Sequence, residues 1–210
     1  MLLAASLCLM PYFFRKSKAE VQTTDGVGNF FVEILKVAII SLAIIIPIRY
    51  FLIQPFVVRG SSMEPSFSSG DYLIIDEISY RFSEPQRGDV IVFEYPRNPS
   101  QYYIKRIIGL PGERVQVDNG EVVIYNTDYP GGVGIEESYL IGADQTPGNV
   151  DTTLGSEEYF VLGDNRTASS DSRVWGELES DRIIGRAWVR GWPVKAVGTV
   201  QAPIYKLIGN

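Results

Sequence analysis

One stretch of this chain constrains everything after it: from Phe31 to Phe51 it offers almost nothing that water would solvate. Val37 to Ile48 is a run of twelve uncharged residues in which Ser41 is the only polar one, so a helix through it has no polar face to turn outward. About 20 such residues, rising ~1.5 Å each, cross a hydrocarbon core of ~30 Å. A buried core helix is the other home for such a run, but the lack of any polar face favours a span, which we place at residues 30–53. Glu33 and Lys36, three apart, can pair near one end, and Arg49 with Tyr50 suits the opposite interface. Arg15, Lys16 and Lys18 precede the span, and basic residues tend to stay inside. The stretch from about 15 to 29 is therefore expected in the cytoplasm and everything after Val57 outside. The expected organisation is an N-terminal apolar and basic segment (1–29), a transmembrane helix (30–53) and an extracytoplasmic β-rich domain (54–210).

Met1 to Phe14 is apolar too, yet fourteen residues reach only about 21 Å as a helix, and Pro11 interrupts them. The basic residues follow this stretch instead of preceding it, which argues against a secretory signal peptide. An interfacial piece and part of a first span both fit, so the membrane topology is read as single-pass with a two-pass arrangement left open.

Among 210 residues, 45% hydrophobic and 12% aromatic, there is ample material for a packed core. The net charge is −6, and 13 Arg and 6 Lys are scattered without a basic run interleaved with aromatics, which disfavours a nucleic-acid partner. With Cys8 the single cysteine and no histidine anywhere, no intrachain disulfide, zinc cluster or Cys-His pair can be built. No cofactor or metal is expected.

After Pro65 the sequence breaks into short β-rich runs: Asp71–Ile78, Asp89–Tyr95, Tyr102–Ile108, Arg114–Asp118, Glu121–Tyr125, Tyr159–Leu162 and Ile183–Trp192. Asp118-Asn119-Gly120 between two apolar runs predicts a hairpin. No helical period of useful length follows the apolar segment, so the fold class is mainly β, a barrel-like or sandwich domain behind one transmembrane α-helix. Residues from about 126 to 155, rich in Gly, Thr, Asp and Pro, read as a long excursion from that core.

The chemistry begins with Ser62, in Gly60-Ser61-Ser62-Met63-Glu64-Pro65, and Lys105, in Lys105-Arg106. If Ser62 is a nucleophile, its base cannot be an imidazole, and lysine is the natural candidate. Strand alternation puts Tyr103, Lys105 and Ile107 on one face and Ile104, Arg106 and Ile108 on the other. An unshifted lysine is neutral near pH 7 only about once in a few thousand, so the chemistry requires burial beside Tyr and Ile. Each residue has an ordinary alternative: Lys105 as a strand lysine with its ammonium in water, and Ser62 as a helix-start hydroxyl in the capping-box pattern Ser61-Ser62-Met63-Glu64.

The combination changes this balance. Ser62-Met63-x-Pro65, Arg87-Gly88-Asp89-Val90, Lys105 to Gly112, and Gly163-Asp164-Asn165-Arg166 through Ser169-Ser170-Asp171-Ser172-Arg173 occur in order after an apolar span. Over roughly Phe30 to Trp188 this closely resembles the type I signal peptidase family, which uses a serine-lysine dyad. The resemblance implies a membrane-bound serine endopeptidase with Ser62 as nucleophile, Lys105 as general base and Ser169 as the hydroxyl that orients the lysine. It also implies that Arg106, Asp164, Asp171 and Arg173 hold the site's loops through ion pairs, against the alternative of ordinary surface pairs. One branch of the family has an oxyanion-hole serine two positions before the nucleophile. Here that position is Gly60, so backbone N–H groups, that of Ser62 with a neighbour such as Gly60, are expected to serve. The implied partners are the lipid bilayer and exported preproteins, cleaved after signal peptides with small residues at the first and third positions before the cut. The implied location is the plasma (cytoplasmic) membrane, with the catalytic domain on the extracytoplasmic side. Two other readings share some of these features: a self-cleaving serine-lysine regulator, which predicts a DNA-binding helical module where the apolar run lies, and a non-enzymatic membrane-anchored β module.

Overall fold

In the computed structural model the described residues are 25–51, 53–137, 139–140, 146–203 and 205–208, so the expectations for Met1 to Phe14 and for the basic residues 15–18 lie outside them. The chain divides into two compact units, Met1–Ile44 and Ile45–Asn210.

The first unit contributes most of helix α1 (Asp25–Phe51). From Gly28 to Ile46 this helix is long and apolar enough to cross a membrane, and none of that stretch is buried within the protein. A core helix of a soluble domain would instead bury one face. The helix begins five residues before the expected start at 30 and ends near the expected boundary.

Among the described residues the second unit contains thirteen strands: β1 (Ile53–Val57), β2 (Tyr72–Asp76), β3 (Val90–Tyr95), β4 (Asn98–Gly109), β5 (Arg114–Asp118), β6 (Glu121–Tyr125), β7 (Val133–Glu136), β8 (Val150–Thr153), β9 (Glu158–Leu162), β10 (Leu178–Glu179), β11 (Ile183–Trp192), β12 (Gly198–Thr199) and β13 (Lys206–Ile208). All the described pairings are antiparallel. One sheet runs β1-β2-β11-β3-β4-β9-β10, with β12 also on β11, and the other runs β13-β7-β6-β5-β8. This is the mainly β fold expected. The hairpin β5–β6 closes through Asp118 opposite Glu121, with Asn119 in the left-handed region its turn requires.

The stretch 126–155 does more than leave the core. It supplies β7 and β8, which flank β6 and β5, and it places Val133 and Leu154 in the hydrophobic cluster formed by Ile108 and Phe160 of the first sheet with Val115 and Ile124 of the second. Four-residue strands separated by Gly, Thr and Asp carry too little alternation to be legible, and tertiary pairing decides them.

The centre of the first sheet is apolar on both faces. Ile91, Phe93, Ile107 and Val161 pack on one side, and Met63, Phe67, Leu73, Val90 and Val92 on the other. Lys105 emerges from this central region, opposite Ile91 in the β3–β4 register. Strand β4 pairs with β9 only from Arg106 onward, so its first half keeps a free edge on that side.

Candidate active site

Three segments meet around Lys105. The first follows β1, where the chain turns through Gly60 at φ +88, a conformation that L side chains rarely adopt. Met63, fully buried in the core, then anchors the turn and leaves Ser62 half-exposed beside it. The second is β4, which delivers Lys105 and Arg106 to opposite faces. The third is the loop after β9, from Gly163 to Ser172.

Lys105 Nζ lies 2.8 Å from Ser62 Oγ and donates to the Ile104 carbonyl, also at 2.8 Å. The residue is only 3% exposed, and its Nζ stands 5.4 Å from the Tyr103 ring centroid, so the same-face neighbour expected from alternation does wall the amine. Burial pulls the Lys105 ammonium down from 10.5 to about 8, against the carboxylates of Asp171 and Asp164, which favour its charged form. At a value near 8, roughly one lysine in ten is neutral at pH 7. This is the desolvated amine that a lysine base needs.

The loop is stitched at both ends. Asp164 accepts from Arg106 Nε at 2.9 Å and from Nη2 at 2.6 Å, and the pair is buried. Asp171 takes Arg173 Nε and Nη2 at 2.8 and 2.7 Å, caps the short helix α2 (Ser172–Trp175), and accepts the Gly163 N–H at 3.0 Å. The Ser172 hydroxyl accepts from the Val161 N–H at 3.0 Å. These are interior bonds, not the surface pairs weighed as the alternative, and removing one partner of a buried pair typically costs about 3–5 kcal/mol. The four charged residues singled out in the sequence therefore come together as two pairs beside the dyad.

Sequence reasoning missed two contacts made by the loop. The Asn165 N–H donates to the Ser62 carbonyl at 3.0 Å, fixing the backbone at Ser62. Gly163 is packed so closely that a Cβ would strike the Ser62 carbonyl oxygen and the Ser169 side chain. The glycine that opens Gly163-Asp164-Asn165-Arg166 was the available signal. Ser169 itself lies in the site, but its buried hydroxyl has no hydrogen-bond partner among the described residues, so a bond to Lys105 is not formed in this structure.

The N–H groups of Gly60 and Ser62 donate no hydrogen bond among the described residues and remain available to an oxyanion. A cleft of about 720 Å³ opens over the dyad, walled by Phe56, Val58, Leu73, Tyr103 and Ile104. Among the described residues no group of Cys, Asp and Glu side chains is arranged to hold a metal ion. A hydroxyl within hydrogen-bond reach of a desolvated amine, with free backbone donors around one cleft, is an arrangement suited to acyl-transfer hydrolysis.

Comparison with known proteins narrows that class. Residues 31–192 match the family described as signal peptidase, peptidase S26. The chain is 38% identical over 175 residues to the probable signal peptidase I-2 of Synechocystis sp., covering 81% of this chain and 77% of that protein. It is 39% identical over 181 residues to the signal peptidase I of Leptolyngbya laminosa, covering 81% and 84%. A crystal structure of a signal peptidase I from Enterococcus faecalis is 34% identical, covers 50% of this chain and 97% of its own, and superposes with a TM-score of 0.43. The chain belongs to the signal peptidase family, peptidase S26, and is a serine peptidase that removes signal peptides. Its family and its apolar N-terminal helix together mark it as membrane-anchored.

Proposed function

We propose that Ser62 and Lys105 are the catalytic dyad by which this chain cleaves exported preproteins. The observation that carries the reading is the 2.8 Å approach of a buried Lys105 Nζ to Ser62 Oγ. Neutral Lys105 takes the hydroxyl proton as Oγ attacks the scissile carbonyl, and the oxygen that gains charge is received by the backbone N–H groups of Ser62 and Gly60. The lysine then protonates the leaving amine, and an acyl group stays on Ser62. Water then gives a proton to Lys105 as it attacks the acyl carbon, and the lysine returns that proton to Ser62 Oγ as the C–Oγ bond breaks and the acyl group leaves as a carboxylic acid. Ser169 takes the lysine-orienting role on the family resemblance, its unpaired hydroxyl being free to serve it. The Arg106–Asp164 and Arg173–Asp171 pairs hold the loop that carries Asn165 against the Ser62 backbone.

The basic residues before the helix favour a cytoplasmic N-terminal side, which puts the peptidase unit on the outer face of the plasma membrane. Ser62 follows Ile46 by few enough residues to keep the dyad near the lipid, where the end of a substrate's apolar segment also emerges. The substrate class is a preprotein with small residues at the first and third positions before the cut.

The test uses the full chain in detergent with a preprotein substrate. Ser62→Ala and Lys105→Ala should each abolish processing while leaving thermal unfolding cooperative. Undiminished processing by either variant would sink the dyad.

A further inference from the structure

We propose that Tyr139 is a positioning residue for the cleavage reaction: its ring, backed by Tyr205, clamps the Arg106 guanidinium onto Asp164, so that this buried carboxylate stays neutralised beside Lys105. The inference rests on the Ser62–Lys105 reading above. Neither tyrosine lies in the segments that carry the family resemblance. Tyr139 falls within the 126–155 stretch, and Tyr205 lies beyond the family match that ends at 192.

The geometry joins the two tyrosines to the pair behind the dyad. Arg106 Cζ stands 4.3 Å from the Tyr139 ring centroid, well inside the ~6 Å over which an aromatic face attracts a guanidinium. Tyr205 meets the same ring edge to face, with centroids 6.1 Å apart at 85°. The Tyr139 hydroxyl donates to Glu137 at 2.5 Å and accepts from Arg166 Nη2 at 3.2 Å. Arg166 in turn donates to the Gly163 carbonyl at 3.1 Å, so the ring is fixed from its polar end by the turn that carries Asp164. The other guanidinium contact is sealed as well. Arg106 Nη1 donates to the Gly88 carbonyl at 2.9 Å, and Tyr205 covers Gly88 so closely that a Cβ there would lie 2.9 Å from its ring.

A cavity of about 320 Å³ borders the same guanidinium, with Tyr139, Ser66 and Arg190 in its lining. Without the Tyr139 ring the ion pair would open toward this space, and water there would loosen it. The charges near Lys105 are Asp164 and Asp171, and Asp171 is satisfied by Arg173 on its own turn. Those near Arg106 are Asp164 and the two tyrosines, with Arg166 held by Glu137 beyond them and Arg190 held by Asp71 across the cavity. Each carboxylate thus has a guanidinium; Arg106, the partner of Asp164, lies on the Tyr139 ring, as Arg190, the partner of Asp71, lies on that of Phe67, and of these two carboxylates Asp164 is the one that acts on Lys105. A loosened Arg106 leaves the Asp164 charge to favour protonated Lys105, and the base is then free only at higher pH.

The experiment measures kcat and KM from about pH 6 to pH 10 for the full chain in detergent, acting on a preprotein-derived peptide. Tyr139→Leu is expected to move the limb where kcat rises toward alkaline pH by about half a unit, which makes kcat roughly threefold lower at pH 7 but equal at the plateau, with KM unchanged. Tyr139→Phe, which keeps the ring on Arg106 but loses the hydroxyl's bonds to Glu137 and Arg166, should move the limb less than Tyr139→Leu does. A limb that stays in place, or a loss of equal size at every pH, would overturn the proposal. If Tyr139→Leu does not fold, Tyr205→Leu loosens the ring from behind and carries the same expectation and the same refutation. Lys105→Ala runs beside them: cleavage that survives it refutes the dyad itself, an outcome distinct from an unmoved limb in a lysine-dependent enzyme.

Discussion

Replacing Lys105 should make the protein more stable while, on the proposed mechanism, it destroys the activity. Lys105 carries a folded-state value of about 8 against 10.5 for a solvated lysine, with burial as the main cause. Between those two values the unfolded chain binds a proton that the folded chain refuses, so stability rises with pH through that window. Below about 8 both states are protonated and the cost of the buried ammonium is fully present. Above 10.5 both are neutral and the cost is gone. At ~1.4 kcal/mol for each tenfold change in the proton equilibrium, the full cost is on the order of 3 kcal/mol. Lys105→Met removes it but also deprives the Ile104 carbonyl and the Ser62 hydroxyl of a partner, an offset of about 1 kcal/mol in all because both residues are only partly buried. The variant should therefore lead by about 2 kcal/mol at pH 7, a rise of several degrees in Tm for a chain of this size. Unfolding of the full chain in detergent, by heat and by denaturant, at about pH 7 and about pH 10 measures both proteins. The decisive quantity is the change in their difference between the two pH values, because the lost hydrogen bonds cancel from it. A difference that does not shrink as pH rises would refute the claim that burial, and not a local contact, lowers the lysine.

Three further outcomes follow from the same geometry. Cleavage by the wild-type chain should climb with pH through an apparent value near 8, since the free-base form does the work, and a limb near 10.5 in kcat/KM would contradict the burial. Gly163→Ala should lower kcat by about a hundredfold with a smaller effect on KM, because the added carbon displaces the Ser62 carbonyl and with it the nucleophile; wild-type kcat would show that the close approach does not matter. Asp171→Ala should lower stability by about 3–5 kcal/mol in denaturant unfolding, since it strips partners from Arg173, from the Gly163 N–H and from the start of α2, whereas a change under 1 kcal/mol would mark that pair as dispensable.

What could be read in advance follows the range of each interaction. The apolar helix, the strands from β2 to β6 with β9 and β11, and the opposite faces of Lys105 and Arg106 are written in local patterns of period and turn chemistry, and the structure contains them. The short strands β7, β8, β10, β12 and β13 are not so written, because two to four residues carry no period, and for β8, β10 and β13 the partners are also distant in the chain. The membership of Ser62, Lys105, Asp164 and Asp171 in one site came from motifs in order along the chain. Their depth did not. An Arg beside a Lys on a strand looks the same in sequence whether its guanidinium ends in water or, as here, between a buried carboxylate and an aromatic ring.

That missing depth decides the chemistry. A lysine can serve as a base only where its ammonium is costly, and the two carboxylates near Lys105 both lower that cost. A site with unpaired aspartates would keep the amine charged, and a site without them would lose the bonds that hold the 163–172 loop against Ser62. Pairing each aspartate with its own arginine serves both demands: the carboxylates act as acceptors for Arg106, for Gly163 N–H and for the cap of α2, and each has a guanidinium as counter-charge. The two buried ion pairs thus join the bonds that hold the 163–172 loop to a counter-charge for each aspartate that acts on Lys105.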